Sequence, residues 1–193
     1  MYQPQNYDRL IGTDGFSEKA LTTHFTLYQG YVTNTNKVAD QLKTLADSDL
    51  TATPEYGELK RRFGWEFNGM RLHEFYFENM KLGGAQLPSG TPLYNKIVQD
   101  FGTFEHWQKD FQGTGAIRGI GWAVMYHDPM SDVLFNVWVN EHDMGHLAGC
   151  KPLLVMDIFE HAFIIDYGTK RADYITAFMK ALDWGKVEER MDK

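Results

Sequence analysis

The apolar positions of the first half recur with a helical period. From Ser17 to about Leu50, Ala20, Leu21, His24, Leu27, Tyr28, Tyr31, Val38, Leu42 and Leu45 return at three- and four-residue steps, which predicts an amphipathic helix with Ser17 as its N-cap. Thr53 before Pro54, with Glu55 and Glu58 close behind, signals a second start: proline suits the first helical turn, and acidic side chains suit its positive end. Phe63, Phe67, Met70, His73, Phe77 and Met80 then share one face. Together these segments predict a helical hairpin with one histidine on each inward face.

Gly83, Gly84, Pro88, Gly90 and Pro92 cluster where helices break, and the boundary between two domains, residues 1–84 and 91–193, is expected there. After two short helices, Gly121 to Tyr126 and Val133 to Asn140 are rich in β-branched and aromatic residues, with Asp128, Pro129, Ser131 and Asp132 between them as a hairpin turn. Leu153 to Met156 reads as a third strand ending near Asp157, and Tyr174 to Trp184 as a closing helix. The fold class expected is α+β: an N-terminal antiparallel α-helical hairpin, then a domain with a small three-stranded antiparallel sheet surrounded by helices.

Composition narrows the setting. With 43% hydrophobic residues in 193, the chain can bury a substantial core without staples. Cys150 is the only cysteine, so an intrachain disulfide framework is excluded and a reducing compartment fits. The opening residues hold no apolar run of a signal peptide, and no segment has the length of a membrane span, so a cytoplasmic protein is expected. A net charge of -7 disfavours nucleic acid and anionic membranes as partners.

Seven histidines are present; His24 and His73 lie on the two inward faces, and His161 follows Asp157 at a strand end. Three neutral imidazoles and one carboxylate suit iron or manganese, and zinc as well. Taken singly, each position has a plain reading too: a hydrogen-bonded core histidine, a turn aspartate, packed tyrosines at 28 and 31. Spacing alone does not choose.

The segment D-I-F-E-H-A-F-I-I-D-Y-G-T-K-R-A-D-Y-I, Asp157 to Ile175, resembles the signature of the iron/manganese superoxide dismutases, D-x-[WF]-E-H-A followed by Y-x-x-[KR]-R-x-x-Y. S-E-K-A-L at Ser17, Y-V-T-N at Tyr31, L-H-E-F-Y-F at Leu72 and G-I-G-W at Gly119 support the likeness, which runs from Phe16 to Trp184. N-G-M-R-L-H at Asn68, N-E-H-D-M-G-H-L at Asn140 and Phe159 resemble its archaeal-type branch. The resemblance implies one iron or manganese ion per subunit on His24, His73, Asp157 and His161. It also implies a homodimer or tetramer with Glu160 at the interface, and superoxide as substrate.

The family's outer glutamine, which bonds solvent at the metal, has no direct counterpart. Gly69 has no side chain for that part, so the space it leaves is expected to admit His142. His24 to Tyr31 is one residue shorter than in many members, which sets Tyr28 near where a histidine bonds a tyrosine of the partner subunit; Ile164 stands at that tyrosine's position. Tyr31 and His142 are the expected proton-handling groups, with Trp122, Phe159 and Val155 around the metal, and Lys170 and Arg171 attracting a small anion. Two rivals stay open: a zinc hydrolase or hydratase on the same donors, and a catalytically silent oligomeric member of the family.

Overall fold

The structure is a computed structural model that describes residues 1–192; Lys193, the last residue of the expected second domain, lies outside the described residues. Helix α1, Glu18–Asp47, starts where Ser17 accepts a hydrogen bond from Ala20 N, and stops as Asp49 turns left-handed at φ 58. Its buried face adds Phe25 and Val32 to the positions read from the sequence. Helix α2, Pro54–Glu78, begins at Thr53, which accepts from Tyr56 N. The start signal at Thr53 and the aromatic face from Phe63 thus belong to one continuous helix, packed along α1.

Helices α3, Pro92–Phe101, and α4, Phe104–Ala116, are each capped by a threonine. Strands β1, Gly121–Asp128, β2, Val133–Asn140, and β3, Lys151–Asp157, form one antiparallel sheet of order β2-β1-β3. Central β1 is buried from Gly121 to His127, as a strand covered on both faces must be. Opposite Met125 and Tyr126 the β3 register slips at Pro152, which has no N–H to donate to the ladder. Trp122 stands directly across from Asp157.

The closing segment differs from the expected single helix. It consists of a short α5, Ile164–Tyr167, then α6, Arg171–Lys180, and α7, Trp184–Asp192. The break has a tertiary cause: Leu182 pairs with Met80 in an antiparallel bridge, Lys81 N donates to Ala181 O, and Asp183 N donates to Asn79 O. Buried Asn79 also donates to Val155 O at 2.6 Å and accepts from Arg190 at 2.5 Å. Arg190 bonds Leu153 O and Glu78 as well, so one side chain docks α7 onto α2 and β3.

Candidate metal centre

Four donors from three places in the chain meet between the hairpin and the sheet. His24 lies in the second turn of α1 and His73 in the last turns of α2, both fully or nearly buried. Asp157 ends β3, and His161 lies in a short 3-10 turn, Glu160–Ala162, that follows it. One ligand atom from each residue lies within 4.8 Å of all the others. Asp157 Oδ2 is 3.2 Å from His24 Nε2, 3.0 Å from His161 Nε2 and 3.6 Å from His73 Nε2.

The protonation of the set follows from its bonds. His73 Nδ1 donates to the Gly69 carbonyl at 2.6 Å, which leaves Nε2 as the inward lone pair. That nitrogen is buried without a hydrogen-bond partner. Such an orphan is costly in an apolar site unless something else fills the need. Burial lowers the pKa of both His24 and His73 and keeps the rings neutral. Burial alone would raise that of Asp157, but His161 and then His24 more than offset it, so the carboxylate is ionised. Neutral imidazoles facing a carboxylate are the state in which a cation is bound.

Around the donors, Phe159 N donates to Asp157 Oδ1 at 2.8 Å, and Tyr174 donates its hydroxyl to the Asp157 carbonyl at 2.6 Å. The Phe159 ring stacks on both His142 and His161. Trp122 Nε1 donates to His142 Nδ1 at 3.0 Å, and His142 Nε2 lies 2.8 Å from the Tyr31 hydroxyl. Because Nδ1 must accept, a neutral His142 carries its proton on Nε2 and donates it to Tyr31. Burial, with smaller effects from His161 and Arg62, lowers the His142 pKa to about 4, and a second proton on Nδ1 would face the indole N–H. Burial raises the pKa of Tyr31, so its hydroxyl keeps its proton.

The structure brings His24, His73, Asp157, His161, Tyr31, His142, Trp122 and Phe159 together, and corrects one other expectation. The space over Gly69 is filled by Tyr31, not His142: a β-carbon there would sit 2.5 Å from the Tyr31 ring, which stacks on His73. His142 meets the Tyr31 hydroxyl instead, with its ring centroid 6.2 Å from that of His73. Tyr28 is fully buried, donates to Glu74 at 2.9 Å and accepts from Gln5 N, so it is satisfied inside its own chain and offers nothing to a partner. Arg171 is not a free cation, since its guanidinium donates to the carbonyls of Ile117 and Gly119; Lys170 is exposed. Val155 shares the strand face of Asp157 two residues on, and its carbonyl accepts from Asn79. Glu160 and Ile164 lie exposed on the outer surface.

Sequence reasoning missed Trp65, whose ring meets both His142 and Tyr31 and whose Nε1 donates to Glu141 at 2.9 Å. A signal existed: Trp65 precedes His73 by eight residues, close to two helical turns.

Fold and donors together put the chain among the mononuclear metalloproteins. The family model for the C-terminal domain of iron/manganese superoxide dismutases matches residues 88–190. A superoxide dismutase (Mn) of Haloarcula marismortui is 36% identical over 194 residues, spanning 98% of this chain and 91% of the relative. A superoxide dismutase (Mn) 2 of Haloferax volcanii is 34% identical, spanning 98% and 93%, and a superoxide dismutase (Fe) of Aquifex aeolicus is 33% identical, spanning 99% and 91%. The chain belongs to the iron/manganese superoxide dismutase family, and the archaeal-type likeness is consistent with these relatives.

Proposed function

We propose that the chain disproportionates superoxide, using one iron or manganese ion held by His24, His73, Asp157 and His161. The observation that carries this is the convergence of four donors, with the buried His73 Nε2 left without a partner. Held by these four residues, an iron or manganese ion would supply the one-electron redox chemistry that converts two superoxide ions and two protons to dioxygen and hydrogen peroxide.

The protein's part is to hold protons and shape the opening. Trp122 fixes the His142 tautomer, and His142 donates to Tyr31, so the Tyr31 O–H is free to donate to a small anion or a water in the site. Exposed Lys170 and the carbonyl-bound Arg171 add local positive charge to an acidic molecule, an attraction that salt screens. Glu160 and Ile164 are proposed to lie at the interface of a homodimer or tetramer. A cytoplasmic location is proposed on the lone cysteine; no described helix is long and apolar enough to cross a membrane.

Elemental analysis of the purified protein, followed by reconstitution with iron and with manganese and a superoxide-consumption assay, tests the proposal. Activity with either ion that is lost in His161→Ala is expected. Stoichiometric zinc with no dismutation under either reconstitution would overturn it in favour of a hydrolase or hydratase. Iron- or manganese-loaded protein no more active than the variant would leave an oligomeric role only.

A further inference from the structure

The motif N-E-H-D-M-G-H-L carries a second histidine, His146, that the reaction above does not use. It belongs to the segment between β2 and β3 on which His142 rides. That segment is almost free of ladder bonds: Asn140 and Met144 form a single bridge, Glu141 is left-handed at φ 48, and Gly145 turns at φ 105 against the Trp138 carbonyl. Yet His142 is fully buried and holds two directional hydrogen bonds. Something other than secondary structure must fix it.

His146 Nε2 lies 2.8 Å from the His142 backbone carbonyl, and His146 Nδ1 lies 2.7 Å from the Tyr126 hydroxyl. A carbonyl only accepts, so Nε2 must carry a proton. In the neutral ring Nδ1 then accepts from Tyr126, a buried residue of β1 whose hydroxyl keeps its proton because burial raises its pKa to about 12. Asn68 Nδ2 of α2 lies 3.4 Å from the same Nε2, but both carry protons there and no hydrogen bond joins them. The imidazole thus ties the main chain of His142 to the central strand. Trp65 of α2 adds a second tie through Glu141.

We propose that His146, held by Tyr126, is a positioning residue that sets where the His142 ring stands and therefore how well His142 bonds Tyr31. The proposal rests on the role given above to the His142–Tyr31 pair. Its geometry defines which side chain can stand in: a glutamine at 146 offers an amide N–H to the His142 carbonyl and an oxygen to Tyr126, whereas an alanine offers neither.

The test uses the full chain loaded with diamagnetic zinc, so that the His142 Nε2 proton is visible by nitrogen-edited NMR. In the parent protein that proton exchanges slowly. In His146→Ala exchange speeds up by about fivefold, the factor expected when one hydrogen bond of ordinary strength is lost, and in His146→Gln it returns toward the parent rate. An alanine variant within twofold of the parent, or a glutamine variant exchanging as fast as the alanine one, overturns the proposal. Where the alanine variant fails to fold, the glutamine variant decides alone: slow exchange supports the tie and fast exchange refutes it. Zinc-loaded protein does no redox chemistry, so this outcome is independent of dismutation. Absence of superoxide consumption by the iron- or manganese-loaded parent would count against the function without touching this result.

Discussion

Replacing His142 by glutamine should make the protein less sensitive to acid. In the unfolded chain a histidine takes up a proton below about pH 6.5. In the fold, burial holds the His142 pKa at about 4. Between these values the unfolded state binds more protons than the folded one, so stability falls as pH falls through that window and stops falling from this cause below it. From pH 7 to 4.5 the loss amounts to about 2 kcal/mol. A glutamine does not titrate, and its amide can accept from Trp122 through the oxygen and donate to Tyr31 through the nitrogen. The variant should therefore lose about 2 kcal/mol less than the parent over the same range. His24 and His73 shift in the same direction, but they are present in both proteins and cancel in the difference. Urea unfolding followed by tryptophan fluorescence at the two pH values measures it, with chelator present so that metal release in acid does not enter. Parallel losses, equal to within about 0.5 kcal/mol, would refute the claim that His142 is held neutral by its surroundings.

Three further outcomes follow from the packing and the donors. Gly69→Ala drives a methyl group into the Tyr31 ring at 2.5 Å; overpacking of about 1–3 kcal/mol outweighs a helix-propensity gain of about 1 kcal/mol, and the melting temperature should fall. Asp157→Asn removes the one carboxylate that faces the three imidazoles, and elemental analysis after gel filtration should find iron or manganese well below one per chain. Arg190→Ala leaves the Leu153 carbonyl and Asn79 without their charged donor and loosens α7 from β3, a cost of about 3 kcal/mol readable in urea unfolding.

What could be read from the sequence was set by short-range periodicity and capping chemistry. Ser17, the Thr53–Pro54 pair and the β-branched runs fix local conformation with little help, and each stands where those signals put it. The closing helix was misread because Ala181 to Asp183 carry no breaker; what interrupts them is pairing with Asn79 to Lys81, about a hundred residues earlier in the chain. The same holds at the site. The four converging donors were legible as a motif, but which side chain fills the hollow over Gly69 is decided by the packing of two helices, and periodicity along either one is silent on that. Trp65 and His146 escaped for a related reason: their partners, Glu141 and Tyr126, come from other elements.

The seven-residue interval between His24 and Tyr31 keeps both side chains on one face of a single helix. Helix α1 runs unbroken from Glu18 to Asp47, and at 3.6 residues per turn seven residues are nearly two whole turns. Tyr31 therefore stays on the face of His24 and reaches both His73 and His142. Tyr28, one turn after His24, falls on that same inward face rather than on the surface, and there it meets Glu74, the residue after the second histidine. Glu74 in turn accepts from Arg71 at 2.5 Å, so the polar end of Tyr28 is satisfied within the hairpin. A tyrosine so committed has no spare bond for a neighbouring subunit, and a proton relay through it to a partner is closed. The hydrogen bonds that reach the donor cluster run instead from Trp122 to His142 and from His142 to Tyr31.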